Sequence, residues 1–243
     1  SAKVVQRPQI AVLATGNELL QPDENHEAGR IYDSNSYSLA SAITSAGGIP
    51  NMLGIAKDNA DSLLKKLHEG VTKDLLITSA GVSKGDYDLV KDVLVKNGTI
   101  KLWSVRMRPA KPIAFGIFNG PNGGKTPLLG LPGNPVSTLV GFEQFGRPAI
   151  LKMMGKTNLQ RPTVNAILET PIHNHDGRRV YARVVVIKRN KKYYARITGK
   201  QDSNLLTSMS KANGLAICPE NVAKKEVGDS VVVQMIDWQE NVF

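Results

Sequence analysis

The chain has 243 residues, of which 41% are hydrophobic and 21% are charged, a composition that excludes an intrinsically disordered chain. No apolar run approaches the roughly 18 residues that a membrane-spanning helix requires. With 31 Lys and Arg against 21 Asp and Glu, the formal net charge is +10, which favours an anionic partner: nucleic acid, a phosphorylated small molecule or an oxyanion. The one cysteine, Cys218, cannot form an internal disulfide, so we expect a cytoplasmic protein.

The first part of the chain alternates between short apolar runs and amphipathic segments. The pattern predicts strands at residues 9–14, 49–55, 74–79, 99–106, 112–118 and 126–131, and helices at residues 34–46, 60–70, 88–97 and 136–155. This alternation is typical of an α/β domain built on a doubly wound, mostly parallel sheet. We expect the domain to span residues 8–155.

The pattern changes after Gly155, where short segments of period 2 are separated by turns. The predicted strands are residues 163–169, 179–189, 192–198, 214–218 and 230–236. The absence of a long amphipathic helix predicts a small all-β domain, a barrel or a sandwich, at residues 160–238. Residues 156–162 are the expected hinge.

Three glycine-containing loops follow predicted strands of the first domain, after Ala14, Ser79 and Leu131. They fall at the sheet edge where doubly wound folds bind ligands. Glycine lets the backbone approach a ligand, and the third loop opens directly into a helix whose free N–H groups attract phosphate. Each loop alone could be a turn with helix caps, but three at one edge favour a binding site.

Four acidic residues, Glu18, Asp58, Asp86 and Asp88, also fall just after predicted strands. Carboxylates beside a phosphate site commonly hold magnesium, which needs only one or two of them from the protein. The alternative is that Asp58 caps the helix that begins at Ala60 and that the others are solvated.

A basic segment with two prolines, residues 106–112, places Arg106, Arg108 and Lys111 between two predicted strands. It can bind a phosphate or an oxyanion, or it can be a solvated loop.

Three other sequence features do not predict a functional site. Residues 120–126 lack the first glycine of a P-loop and predict a hairpin turn. His173 and His175 have no third ligand nearby, so a metal site is not expected there. The basic strands at residues 178–200 contain no ordered aromatic stacking motif, so nucleic acid is not the expected partner.

Four motifs of the first domain resemble those of the molybdopterin molybdenumtransferases, the MoeA/gephyrin family of molybdenum-cofactor biosynthesis. They are residues 15–19 (TGNEL), 81–88 (GVSKGDYD), 108–112 (RPAKP) and 130–137 (GLPGNPVS). In the second domain, residues 199–203 (GKQDS) and 208–214 are also similar. The resemblance extends over nearly the whole chain, with the motifs in the family's order.

The resemblance implies a molybdopterin-binding domain at residues 8–155 and a C-terminal β-barrel domain at residues 160–238. It implies binding of adenylylated molybdopterin and molybdate, insertion of molybdenum at the dithiolene, and release of AMP assisted by Mg2+. The full-length protein is expected to be a homodimer, with neither nucleic acid nor a membrane as partner. The alternative functions are a molybdopterin adenylyltransferase and a non-enzymatic, gephyrin-like scaffold module.

The resemblance also implies a role for individual residues. The expected catalytic residues are Glu18, Asp58, Asp88 and Lys111, and the expected metal ligands are Asp86 and Asp88. The expected substrate-binding residues are Thr15, Gly16, Ser79, Gly81, Ser83, Gly85, Arg108, Gly133, Asn134 and Ser137.

The chain departs from the family pattern at Asn17, Ala80 and Ala110, where the family usually has Asp, Gly and Gly. Asn17 removes a carboxylate beside the site, and each alanine adds a methyl group where the backbone approaches a ligand or adopts positive φ. Family members normally begin with two further domains. We therefore expect the chain to correspond to the C-terminal part of such a protein, binding substrate without completing turnover.

Overall fold

The computed structural model describes residue 2, residues 4–80 and residues 88–238. The chain divides into two compact units. The first comprises Ser1–Val105 and Pro112–Leu159, and the second comprises Arg106–Lys111 and Gln160–Phe243. None of the helices in the described ranges is long and apolar enough to cross a membrane.

In chain order the strands are β1 (Gln9–Thr15), β2 (Leu19–Leu20), β3 (Ile31–Tyr32), β4 (Ile49–Ala56), β5 (Leu75–Ser79), β6 (Gly98–Ser104), β7 (Met107–Arg108), β8 (Pro112–Asn119), β9 (Lys125–Leu131), β10 (Thr163–Leu168), β11 (Ile172–His173), β12 (Arg179–Arg189), β13 (Lys192–Ile197), β14 (Gly214–Cys218), β15 (Lys224–Lys225) and β16 (Ser230–Met235). The helices are α1 (Asn35–Ser45), α2 (Ala60–Gly70), α3 (Asp88–Lys96), α4 (Pro135–Gly141), α5 (Arg147–Met153) and α6 (Leu206–Ser210).

The first unit is built on a six-stranded sheet in the order β4-β1-β5-β9-β8-β6. Strands β4, β1, β5 and β9 run parallel to one another. Strand β8 pairs antiparallel with β9, and β6 pairs antiparallel with β8 at the edge of the sheet. Residues 120–124 form the turn of the β8–β9 hairpin, as predicted. The sequence-based prediction of a mostly parallel α/β sheet is confirmed, and the antiparallel side makes the sheet mixed.

Apolar residues on both faces of β1 explain why helices cover both sides of this sheet. Ala11 and Leu13 share a core with Leu63 and Leu67 of α2. Because neighbouring strand residues point to opposite faces, Ile10 lies on the other side, where a Cβ added at Gly48 would meet both Ile10 and Ile43 of α1. Continuous hydrophobic strands are thus the sequence signature of a sheet that is buried on both faces.

The second unit is a closed β-barrel. Its strands follow the order β13-β10-β16-β14-β12, and a further pairing between β12 and β13 closes the ring. Alternate residues fill the interior, among them Leu168, Val184, Ala195, Ala216 and Val233, which are at most 1% exposed. The residue pattern left a barrel and a sandwich open, and the β-barrel that the family motifs imply is confirmed.

Two local features differ from the sequence-based expectation. Residues 106–111, expected as a loop of the first domain, belong to the second unit, because β7 pairs in parallel with β12. A strand of two residues is too short for its periodicity to be recognised. The predicted helix at residues 136–155 is divided by a π turn, Phe142–Gly146, just before Pro148, which cannot donate the helical hydrogen bond.

Candidate functional site

Four parallel strands of the first unit end in register at one edge of the sheet. Thr15 at the end of β1 is paired with Ala56 at the end of β4, and its neighbour Ala14 is paired with Ser79 at the end of β5. Ser79 is in turn paired with Leu131 at the end of β9. The ends of these strands therefore lie side by side, at the edge where the sequence predicts a ligand site.

The loop after β1 carries two of the predicted residues, Gly16 and Glu18. Gly16 has a φ of 148°, and a Cβ at this position would lie 2.5 Å from the carboxylate of Glu18, so the carboxylate of Glu18 lies over the Cα of Gly16. Both Glu18 and the neighbouring Asn17 are exposed. Thr15, which precedes the loop, is buried.

Asp58 lies beside this loop and is held by Asn17. The Asn17 N–H donates to Oδ2 of Asp58 at 3.0 Å, and the Asp58 N–H donates to Oδ1 of Asn17 at 3.2 Å. The alternative interpretation of Asp58 as a helix cap is wrong, because Asn59 caps α2 by accepting from the Ser62 N–H at 2.8 Å. The carboxylate of Asp58 is therefore directed to the loop after β1.

The loop after β5 is described only at its start. Ser79 is buried, and Ala80 has a φ of 84° and donates its N–H to the carbonyl oxygen of Leu131 at 3.0 Å. The predicted residues Gly81, Ser83, Gly85 and Asp86 lie outside the described residues. Asp88 is the first residue of α3, but its side chain is also outside the description.

The loop after β9 places Gly133 next to Ala80. Gly133 and Asn134 are exposed, and Ser137 is buried in the first turn of α4. A Cβ added at Gly133 would lie 3.2 Å from the Cβ of Ala80. Ala80, which immediately precedes the second glycine loop, is therefore in close contact with the third loop.

The segment that leads into α1 also contributes polar residues to this edge of the sheet, and its sequence motifs did not predict it. Asp33 is 3% exposed, and its Oδ1 accepts from the Ser36 N–H at 3.0 Å. The side-chain amide of Asn35 donates to the carbonyl oxygen of Gly133 at 2.7 Å. An Asp three residues before a Ser at a helix start is a recognisable capping signal. The contact between Asn35 and Gly133 has no sequence signal, because 98 residues separate them.

Several polar atoms in this segment are buried without a hydrogen-bond partner in the described part of the chain. They are Oδ2 of Asp33, Oδ1 of Asn35 and Oγ of Ser36. On β5, Oγ1 of Thr78 is also buried without a partner among the described residues. Buried polar atoms are normally paired with protein or ordered water, so these four atoms offer hydrogen-bonding capacity to a water or a ligand.

In the second unit, Arg108 is held by the turn that precedes β12. Its guanidinium donates to the carbonyl oxygen of His173 at 2.6 Å and lies 3.6 Å from the carboxylate of Asp176. Arg178 also donates to Asp176, and this hydrogen bond is the main reason that the pKa of Asp176 is lowered to about 2. Lys111, by contrast, is exposed.

Within the described ranges, no group of three or more His, Cys, Asp or Glu side chains is arranged to hold a metal ion. The rings of His173 and His175 stack with their centroids 5.5 Å apart.

Two models of known protein families match the chain, one for each of its two parts. A family model described as a probable molybdopterin binding domain matches residues 11–152, and one for the MoeA C-terminal region (domain IV) matches residues 165–236. The chain belongs to the MoeA family of molybdopterin-biosynthesis proteins. The resemblance inferred from the motifs is thereby confirmed.

The relatives of this MoeA-family chain are longer than the chain itself. It is 33% identical to a molybdopterin molybdenumtransferase of Nostoc sp. over 95% of its own length and 53% of the relative's. It is 34% identical to molybdopterin molybdenumtransferase 2 of Mycobacterium tuberculosis, over 95% of the chain and 57% of the relative. A crystal structure of a MoeA protein from Pyrococcus horikosii is 28% identical and superimposes with a TM-score of 0.79, over 96% of this chain and 55% of that one. The chain spans about half the length of the relatives that it matches.

Proposed function

We propose that the first unit binds the phosphorylated end of a molybdopterin-type ligand at the loops after β1, β5 and β9. The observation that supports this most strongly is the in-register ending of the four parallel strands, which brings the three glycine loops to one edge. Membership of the MoeA family supports a pterin rather than another phosphorylated ligand.

Each loop supplies groups that suit part of such a ligand. Gly133, Asn134 and Ser137 provide backbone and side-chain donors for a phosphate, and Thr15, Gly16 and Ser79 line the neighbouring strand ends. Gly81, Ser83 and Gly85 follow Ser79 in sequence and complete the proposed binding set.

Magnesium is the metal that the family resemblance implies, and the donors at this edge fit it. Glu18 and Asp58 present carboxylate oxygens at the same loop, one over Gly16 and the other on the Asn17 N–H. Hard oxygen donors of this kind suit Mg2+. We propose Asp86 and Asp88 as its ligands, and Glu18 and Asp58 as catalytic carboxylates. Mg2+ would neutralise charge on the ligand's phosphate.

For the second unit, we propose that Arg108 and Lys111 bind an oxyanion, with molybdate as the substrate. Arg108 is held in place by His173 and Asp176, whereas Lys111 is exposed. In the complete protein we propose molybdenum insertion at the dithiolene of adenylylated molybdopterin with release of AMP, carried out by a homodimer. The MoeA C-terminal region favours this reaction over adenylyl transfer.

The experiment is a titration of the purified chain with molybdopterin under anaerobic conditions, measured by calorimetry. Wild-type protein is expected to bind, and Ser137→Ala is expected to bind about tenfold more weakly. The matched control is Ser230→Ala, an exposed serine at the start of β16 in the other unit. A wild-type chain that is folded and does not bind molybdopterin would disprove the proposal.

Molybdate binding is tested separately. Lys111→Ala is expected to lower the affinity for molybdate, and Lys192→Ala, an exposed lysine of the same unit, is expected to leave it unchanged. Equal losses in the two variants would indicate general charge attraction rather than a site.

A further inference from the structure

Two side chains hold the carbonyl oxygens of the loop that follows β9. The hydroxyl of Thr138 donates to the carbonyl oxygen of Pro132 at 2.5 Å, and the side-chain amide of Asn35 donates to that of Gly133 at 2.7 Å. The next carbonyl oxygen, that of Asn134, accepts from the backbone N–H of Thr138 at 2.9 Å. Three successive carbonyl groups of the loop are therefore oriented by hydrogen bonds.

The orientation of a carbonyl group fixes that of the N–H group in the same peptide plane. In a trans peptide the two point in opposite directions, and the peptides after Pro132 and Gly133 are trans. The N–H of Gly133 therefore points away from the hydroxyl of Thr138. The N–H of Asn134 points away from the side chain of Asn35.

Both donors belong to well-anchored elements. Thr138 is fully buried in α4. Asn35 is the first residue of α1, and the start of this helix is fixed by buried Asp33, which accepts from the Ser36 N–H and donates its own N–H to the carbonyl oxygen of Leu20. A loop whose peptide planes are held from rigid elements loses less entropy when it binds an anion.

We propose that Asn35 and Thr138 are positioning residues, which hold the N–H groups of Gly133 and Asn134 toward the phosphate of the molybdopterin-type ligand. Neither side chain contacts the ligand; each acts through the carbonyl group that it holds. This inference rests on the proposed function of the loop after β9 and names the residues outside the motif on which its geometry depends.

The test compares two ligands and matched variants in the 243-residue chain. Thr138→Val preserves the shape of the side chain and removes the hydroxyl, whereas Thr138→Ser keeps the hydroxyl and is the conservative control. Asn35→Leu removes the amide donor at similar volume. Dissociation constants are measured for molybdopterin and for its dephosphorylated form, with circular dichroism to confirm folding.

Thr138→Val and Asn35→Leu are expected to bind molybdopterin about tenfold more weakly, and to bind the dephosphorylated form within twofold of wild type. Thr138→Ser is expected to bind both ligands as wild type does. If Thr138→Val does not fold, the binding of Asn35→Leu tests the inference, because a substitution at half-buried Asn35 is less disruptive to folding. Unchanged binding, or equal losses for both ligands, overturns the inference, whereas a wild-type chain that binds neither ligand rejects the proposed function instead.

Discussion

Asn17 and Asp58 hold each other through two reciprocal hydrogen bonds, in which the backbone N–H of each donates to the side chain of the other, at 3.0 and 3.2 Å. This pair joins the loop after β1 to the loop after β4. It also explains why Asn is accommodated at a position where the family usually has Asp, since either side chain offers an acceptor to the Asp58 N–H.

We therefore expect Asn17→Asp to keep the hydrogen bond to Asp58 and to add a carboxylate at the proposed metal site. Its affinity for Mg2+ should rise roughly three- to tenfold, because an added negative charge near a divalent cation is favourable. Magnesium titration by calorimetry measures the change. Asn17→Ala, which adds no charge, is the control, and equal Mg2+ affinities in the two variants would contradict the prediction.

Ala80 and Gly133 are expected to be energetically coupled. In Gly133→Ala the new Cβ lies 3.2 Å from the Cβ of Ala80, a tight contact that should lower the free energy of unfolding by about 1 kcal/mol. In the Ala80→Gly background the same change should cost at least ~0.5 kcal/mol less. Urea unfolding of wild type, the two single variants and the double variant, followed by circular dichroism, gives the coupling energy. Additive effects of the two substitutions would show that Ala80 and Gly133 do not touch.

Asp176 should make the second unit sensitive to acid. Its pKa is lowered from 3.8 to about 2, chiefly by the hydrogen bond from Arg178. The charged form is thus favoured in the folded state, so its contribution is complete above pH 3.8 and is lost as the pH falls toward 2. Because about a third of the side chain is exposed, we expect a loss below ~1 kcal/mol.

Hydrogen exchange of the β12 amides measures this effect. Asp176→Asn should exchange faster than wild type at pH 6, and the difference should shrink as the pH falls from 4 through 2. A difference that does not shrink over this range would mean that the charge of Asp176 is not what stabilises this turn.

Buried Arg183 is expected to be a stability determinant of the barrel. It is 1% exposed and donates to the hydroxyl of Ser208 at 3.1 Å and to the carbonyl oxygen of Asp202 at 3.0 Å. Its burial lowers the pKa of the guanidinium to about 10. Arg183→Met leaves the carbonyl of Asp202 without this donor and should lower the free energy of unfolding by about 2 kcal/mol.

Urea unfolding followed by the fluorescence of Trp238, in a Trp103→Phe background, reports on this unit, because Trp238 packs against the barrel core. Arg189→Ala is the control, since its ion pair with Glu169 is exposed and should contribute below ~0.5 kcal/mol. A stable Arg183→Met protein would show that apolar packing replaces the buried charge.

Much of the fold could be predicted from the sequence because each strand and helix has a hydrophobic pattern within its own segment. The apolar run that includes Ile10 to Ala14 and the helical spacing of Leu63 and Leu67 mark elements that are buried in a periodic way. The motif residues around Gly16 and Gly133 could be placed at one sheet edge because parallel strands in such a sheet end at the same side. The structure confirms that edge; the ligand itself stays a prediction.

Contacts between distant parts of the chain could not be predicted in this way. The hydrogen bond from Asn35 to Gly133, the reciprocal pair of Asn17 and Asp58, and the pairing of Met107 with Arg179 all join segments at least 41 residues apart. No periodicity or turn signal records such a contact, because each partner satisfies its local pattern equally well without the other.

Hydrophobic periodicity and motif order by themselves determined an α/β domain followed by a β domain, and placed candidate phosphate-binding loops after predicted strands. Only the tertiary structure decided that the barrel closes through the pairing of β12 with β13, that Arg108 belongs to the barrel unit, and that Asn59 rather than Asp58 caps α2. The physical reason is that hydrophobic periodicity is fixed by each segment's own burial, whereas the closure of a sheet and the choice of a hydrogen-bond partner depend on which segments meet in space.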